Sequence, residues 1–330
     1  MPKVVVTAKI NPIGPHNEIF KAHGFEELHT PDDCDPFVED QLIALAKDCE
    51  AVLAGSEPFT PRVIASLPKL RAIVRAGVGF DAVNLAACDK AGIPVCTTPG
   101  VNHHSVAEHT ISLLMAIARG FPELDRKVRQ NRWDRKAYPR VMGKTIGLVG
   151  LGRIGLATAW RAAGLGLKVI AFEPFSSAIP VRDFVQQHNI ELVDLDTLIA
   201  RSDYISLHCP MSAENHHLIN RQRIARMKRG VMIVNTARGP LIDEQALAEG
   251  LRSGQVAGAG LDVFEEEPLP LTSPLLELDN VLLAGHVAGL DNESAYDTSK
   301  MCADIIVGLH QGRWPHGCVQ NLAGVTGWKW

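Results

Sequence analysis

The sequence predicts an α/β protein of two doubly wound parallel-sheet domains, and three observations lead there. The chain has 330 residues, about twice the usual length of one domain. Short β-rich runs alternate with helical patterns over most of that length, which is how parallel strands covered by helices on both faces read. Composition is ordinarily globular, 46% apolar and 21% charged, so there is ample material for a core.

Strands are expected at 4–8, 51–54, 72–75, 145–149, 168–172, 204–207, 231–235, 256–261 and 281–284. Helices are expected between them at 36–49, 60–67, 82–91, 156–163, 194–201 and 243–252. Two further helical segments differ in character. Residues 105 to about 129 contain no proline but Pro122, and 106–118 are apolar on nearly every face, so this segment must be buried in a domain or against another subunit. Residues 292–311 set Ser294, Tyr296 and Lys300 on one side against Met301, Ile305, Ile306 and Leu309 on the other. Both segments can carry the chain between domains. One domain is then split, residues 1–103 with 290–330, around a second at 104–289.

The charge balance is 33 minus 37, or −4, which gives no basic field to draw nucleic acid or an anionic membrane. Seven scattered cysteines without a C-x-x-C pair fit reduced thiols in the cytoplasm better than a disulfide framework, and no metal site is expected. Aromatic residues, at 5%, are too few for a surface that stacks single strands. The apolar stretch 111–118 falls far short of the roughly 20 residues of a membrane span. The N-terminus reads as a strand and not as a secretory signal.

Chemistry first shows at residues 145–155, a strand that runs into Gly150-x-Gly152-Arg153-Ile154-Gly155 with an alanine-rich helix after it. Gly150 permits a tight turn, Gly152 lets backbone approach a pyrophosphate, and Gly155 lets helix pack on strand. The helix N-terminus supplies N–H groups to the phosphates. The next strand ends at Glu173, 18 residues after Gly155, where a carboxylate can accept from ribose hydroxyls and repel a 2′-phosphate. No arginine follows in Pro174-Phe175-Ser176-Ser177, so NAD is the expected cofactor.

Three later strands deliver reactive side chains to their carboxyl ends: Arg238 after 231–235, Asp262 with Glu265, Glu266 and Glu267 after 256–261, and His286 between glycines after 281–284. Ligands of open α/β sheets bind at that edge. Taken singly, each also reads as a surface arginine, a solvated acidic loop and a core histidine.

With these residues the chain resembles the NAD-dependent D-isomer-specific 2-hydroxyacid dehydrogenases. The resemblance spans nearly the whole length, through Arg75-Ala76-Gly77-Val78-Gly79-Phe80-Asp81, Ser105-Val106-Ala107-Glu108-His109, the glycine motif, Asn235-Thr236-Ala237-Arg238-Gly239, Leu261-Asp262-Val263-Phe264 to Glu267-Pro268, and His286. It implies a Rossmann cofactor domain inserted in a flavodoxin-like substrate domain, and a homodimer through the helix that starts near Ser105. It implies that Arg238 holds the substrate carboxylate and carbonyl, and that Glu267 pairs with His286, the proton donor and acceptor. It further places Asp262 near the nicotinamide amide, His208-Cys209-Pro210 beside adenine or ribose, and Thr236, Ala237, Ala288 and Gly289 along the cofactor. Elementary chemistry agrees with the catalytic roles. Moving a hydride at C2 of a hydroxy acid needs a base for the O2 proton and a grip on the carboxylate, which a planar guanidinium makes two-pronged. The turn from Gly77 to Gly79, with Val78 between, can offer N–H groups to the other carboxylate oxygen. The family's usual acid at the second strand is Asp; here it is Glu173, whose longer side chain should still reach.

Within the family, phosphoglycerate dehydrogenases are most similar, through Arg75-Ala76-Gly77-x-Gly79, Asn102 with Ser105-Val106-Ala107-Glu108, and Trp133-Asp134-Arg135-Lys136. Arg75 and Arg135 would then lie near a substrate phosphate, and 126–140 is locally basic. His103-His104 stand where smaller residues are usual. No regulatory domain is expected beyond Gln320-Asn321. The alternatives are reduction of glyoxylate or hydroxypyruvate and, in another class, a dinucleotide-sensing corepressor.

Overall fold

The computed structural model describes residues 1–8, 13–175, 179–323 and 325–330. It forms two compact units, Met1–Asn102 with Asp291–Trp330 and His103–Leu290.

In the first unit β1 (Lys3–Val6), β2 (Glu26–His29), β3 (Ala51–Ala54), β4 (Ala72–Arg75) and β5 (Val95–Cys96) form one sheet in the order β2-β1-β3-β4-β5, parallel at every pairing. Helices α1 (Pro15–Ala22), α2 (Glu39–Ala46), α3 (Pro61–Ala65) and α4 (Leu85–Ala91) connect the strands. The C-terminal helix, Asn292–His310, returns to pack on α1 and β4. Alternate residues leave a strand on opposite faces. Val4, Val6, Leu53 and Val74 therefore meet Phe20 and the returning helix's Cys302, Ile306 and Leu309. Val5, Val52 and Ile73 meet Leu42, Val63 and Cys88 on the other face. The β5 edge is closed by late residues: Cys96 bridges Val319 in antiparallel fashion, and the Val95 amide donates to Asn321 Oδ1 at 2.8 Å.

The second unit opens with α5 (His103–Ala118) and α6 (Phe121–Arg129). Its strands are β6 (Thr145–Val149), β7 (Lys168–Phe172), β8 (Glu191–Leu192), β9 (Tyr204–Leu207), β10 (Val231–Asn235), β11 (Val256–Leu261) and β12 (Val281–Leu283). They run parallel in the order β12-β11-β10-β9-β6-β7-β8. Between them lie α7 (Arg153–Gly164), α8 (Ile179–Gln187), α9 (Leu195–Arg201), α10 (Arg221–Arg226) and α11 (Glu244–Ser253). The chain runs outward from β6 to β8 and then crosses to β9 on the other side of β6. Strand order thus reverses between β6 and β9, the place where open sheets bind ligands.

Two sets of expectations need correction. β2, β5 and β8, and helices α1, α8 and α10, are not anticipated by the sequence pattern. β2 and β8 are edge strands, Glu-Glu-Leu-His and Glu-Leu, whose solvated faces leave no apolar run to see. The helical stretch from 105 to about 129 is two helices, divided where Gly120 takes φ +64° and Pro122 enters the next turn. Within its own unit α5 buries Val106, Leu113, Leu114 and Ile117, leaves Ile111 and Met115 partly open, and exposes Glu108 and Ser112. α6 has no buried residue.

Leu114 is fully buried where α5 packs on α7, β10 and β11. Leu114→Ala should destabilise the fold by about 2–5 kcal/mol, read as a lower urea-unfolding midpoint.

Candidate active site

Parallel register brings the reactive residues of the second unit to one edge. Gly150, Glu173, His208, Thr236, Asp262 and His286 each lie just beyond the carboxyl end of a strand, β6, β7, β9, β10, β11 and β12 in turn.

At β6 the glycine turn is shaped by close approach. Gly150 has φ +102°, and a Cβ there would stand 2.9 Å from the His208 carbonyl. A Cβ on Gly155 would come within 2.2 Å of the Gly150 oxygen, so helix and turn pack backbone to backbone. Gly152 is different: nothing lies within 4 Å of where its Cβ would be. Gly152 also caps α7 without a side-chain hydrogen bond, which leaves the first amides of a 12-residue helix to a ligand. Glu173 sits beside this turn. Its Oε2 accepts the Leu151 amide at 2.7 Å and its Oε1 the Phe175 amide at 2.8 Å. Ser176 and Ser177 lie outside the described residues. Arg153 is exposed and Ile154 half-buried at the head of α7. Burial pushes the His208 imidazole down to about 3, so it is neutral at working pH, with Ser206 Oγ 3.0 Å from Nε2. Burial pushes the neighbouring Cys209 thiol up to about 11, and Pro210 beside it is exposed.

At β11 and β12 the acidic loop and the histidine come together. His286 Nδ1 lies 2.7 Å from Glu267 Oε2, while Glu267 Oε1 accepts the Phe264 amide at 3.0 Å. Burial works to raise the Glu267 carboxyl, but the bonds from His286 and Phe264 and the charge of Arg238 outweigh it and leave it below the ordinary value. Glu267 therefore stays ionised as pH falls into the acid range. With Nδ1–H directed at a carboxylate, the half-exposed ring presents Nε2, which has no partner among the described residues. His286 has φ +57°, a rare conformation for a residue with a Cβ.

Asp262 holds it there. Its carboxylate is fully buried, and its two oxygens accept the Val287 and Ala288 amides at 2.9 Å each; its carbonyl accepts the His286 amide at 2.7 Å. Gly289 follows in the same loop, and Ser105 Oγ donates to the Ala288 carbonyl at 2.8 Å. Thr110 Oγ1 and Thr236 Oγ1 lie 2.8 Å apart, tying α5 to the end of β10, where Ala237 and Arg238 follow. Ser105 enters the sequence reading only as part of a family motif and Thr110 not at all, although polar side chains inside an apolar helical run are a signal of their own.

Arg75, Val78 and Gly79 belong to the first unit, where Arg75 is buried and its Nε donates to the Gly79 carbonyl at 3.1 Å. Arg135 is exposed in the second unit. The basic stretch around it is largely neutralised within the chain: Arg126 pairs with Asp279, Lys127 with Glu123 and Asp134, Arg129 with Asp125, and Arg132 with Asp134.

Comparison with known proteins decides the family. Residues 111–288 match the model of the D-isomer specific 2-hydroxyacid dehydrogenase, NAD binding domain. The chain belongs to this family. The enzyme is 37% identical to a glyoxylate reductase of Korarchaeum cryptofilum, over 97% of this chain and 96% of that protein. It is 40% identical to a D-3-phosphoglycerate dehydrogenase of Archaeoglobus fulgidus, over 83% of this chain and 52% of that protein. The crystal structure of a D-lactate dehydrogenase from Aquifex aeolicus, complexed with NAD and lactic acid, superposes with a TM-score of 0.84 at 26% identity, covering 98% of this chain and all (100%) of that one.

The open space at Gly152, the unclaimed helix amides and the carboxylate at Glu173 fit the NAD that the family binds. Gly152→Ala should leave the unfolding midpoint unchanged and weaken NADH at least about tenfold, or 1.4 kcal/mol, in a fluorescence titration. Gly155→Ala should lose stability as well.

Proposed function

We propose that the enzyme interconverts a D-2-hydroxy acid and its 2-keto acid with His286 as proton donor and acceptor. The observation that carries this reading is the 2.7 Å contact from Glu267 to His286 Nδ1, on a ring whose Nε2 is open. NAD, when bound, gives or takes the hydride at C2. In reduction, protonated His286 delivers its Nε2 proton to the carbonyl oxygen, and Glu267 stabilises the imidazolium and fixes the ring. In oxidation the same nitrogen removes the hydroxyl proton. Arg238 grips the carboxylate with two parallel N–H donors and polarises the carbonyl. Gly150, Gly152 and Gly155 with the head of α7 would hold the pyrophosphate, and Glu173 the ribose, disfavouring a 2′-phosphate. His208, Cys209, Pro210, Thr236, Ala237, Ala288 and Gly289 would border the cofactor.

A phosphorylated acid of the 3-phosphoglycerate class is the substrate we infer, with Arg75, Arg135 and the Val78-Gly79 turn on its side; the phosphoglycerate dehydrogenase relative supports it. Glyoxylate or hydroxypyruvate is the second reading. The ion pairs that neutralise most of the basic stretch around Arg135 favour it, as does the glyoxylate reductase relative.

A homodimer is part of the proposal. Ile111 and Met115 of α5 stay partly open, and Phe121, Met142, Trp160 and Leu165 are exposed in the same unit, apolar side chains that a second copy could cover. A reducing, cytoplasmic setting is supported by seven cysteines, all free. No helix among the described residues is long and apolar enough to cross a membrane, and no group of three or more His, Cys, Asp or Glu among them is placed to hold a metal.

A panel of 2-keto acids with NADH, phosphorylated and not, tests the reading. His286→Ala should lower kcat by on the order of 10²–10⁴ and leave NADH binding intact. Retention of more than about a tenth of kcat, well above that general acid–base range, would assign the proton to another residue. Glu267→Gln should move the alkaline limb of reduction to lower pH, since the anion that favours the protonated ring is gone. Light scattering at micromolar concentration should return the mass of two chains; a monomer would overturn the dimer.

A further inference from the structure

Glu267 is held from behind by residues that the proposed proton transfer does not use. Glu244, the first residue of α11, donates its amide to Glu265 Oε1 at 2.8 Å, and Glu265 donates its amide to Glu244 Oε1 at 2.7 Å. Each side chain therefore caps the other's backbone. A ring closes between the acidic loop and a helix N-terminus, where the aligned peptide dipoles favour carboxylates. The ring continues outward, because His217 Nε2 lies 3.2 Å from Glu265 Oε2 and the His217 amide donates to the Pro240 carbonyl at 2.8 Å. Gly239 supplies the second wall. A Cβ there would stand 1.8 Å from the Phe264 carbonyl carbon, so the turn after Arg238 and the acidic loop touch backbone to backbone.

These contacts converge on one amide. Phe264 precedes Glu265, and its N–H is the donor that fixes Glu267 Oε1 at 3.0 Å. If Glu265 swings away, the Phe264 amide moves with it, and Glu267 keeps only its bond to His286. The charged groups around the ring are Glu244, Glu265 and Glu267 against Arg238, His217 and His286, with Glu266 exposed between two of the acids. Burial, and then the charges of Glu265 and Glu267, raise the Glu244 carboxyl.

We propose that Glu244 and Glu265 form a reciprocal clamp that positions Glu267, and through it the His286 ring, for proton transfer. This rests on the reading of His286 and Glu267 as the acid–base pair. Glu244 and Glu265 touch neither substrate nor cofactor in this scheme; they are positioning residues.

The test is a double-mutant cycle on the full chain, with kcat, the NADH dissociation constant and the pH profile measured for each variant. Glu244→Ala and Glu265→Ala should each lower kcat on the order of 10–100-fold, the scale of an ångström-level misplacement, without changing NADH affinity. The double variant should be no worse than either single, because one ring is broken in all three. Glu244→Gln, whose amide oxygen still accepts from Glu265 N–H, should restore most of the turnover. The clamp is overturned if either alanine variant turns over like wild type, if the two losses add, or if Glu244→Gln is as slow as Glu244→Ala. It is also overturned if lowering the pH recovers the loss, since Glu244 would then act by charge and not by position. His286→Ala in the same series separates the two proposals: its survival sinks the acid–base reading, whereas its collapse beside an active Glu244→Ala sinks only the clamp.

Discussion

Two backbone amides, those of Val287 and Ala288, end on one buried carboxylate, and the loop that brings His286 to Glu267 is held by that arrangement. Asp262 is fully shielded from water, so an unanswered charge there would be prohibitive. Each charge-assisted bond contributes about 1.5–3 kcal/mol against that desolvation, and His109 Nε2 stands 3.5 Å from Oδ1. What the bonds secure is a shape. The histidine loop is pinned to the end of β11, and His286 is kept at a positive φ that it would not choose alone. From that backbone position the ring reaches Glu267, which leaves the same strand five residues later (262 to 267).

The wider frame is parallel pairing. Because every strand of the seven-stranded sheet points the same way, each strand-to-helix loop emerges at one edge. The glycine turn, the acidic β7 terminus, Arg238, Asp262 and His286 are distant in sequence and neighbours in consequence. The candidate site residues gather at that edge, and Gly230 turns the chain into β10 at the opposite one.

Much of this was legible in the sequence, and the failures have a common physical origin. The strands at 51–54, 72–75, 145–149, 168–172, 204–207, 231–235 and 256–261 read plainly, because a strand covered on both faces is mostly apolar. Edge strands β2 and β8 do not, since water covers part of them and charge is allowed. The family was legible because its motifs carry backbone requirements, such as the space at Gly152 and the contact at Gly155, that few other residues satisfy. The supports of the site were not. Asp262 stands out as an acid at a strand end, but only the fold shows that its oxygens turn inward to amides 25 and 26 residues on. Glu244 and Glu265 look like solvated acids, because a carboxylate that accepts from a distant backbone N–H leaves no trace in local pattern. Their partners are set by tertiary structure alone.

The late closure of the first sheet has a consequence for how the chain is made. Residues 103–290 contain every strand and helix of their own unit and can complete it as they leave the ribosome. Residues 1–102 cannot. The face of β4 that awaits Cys302 and Ile306, and the β5 edge that awaits Val319 and Asn321, stay uncovered until residues from 291 onward are synthesised. Residues 1–102 thus depend on a segment almost two hundred positions later to finish their sheet. Until those later residues are in place the sheet keeps an open apolar face, the kind of surface that makes unfinished chains prone to aggregate.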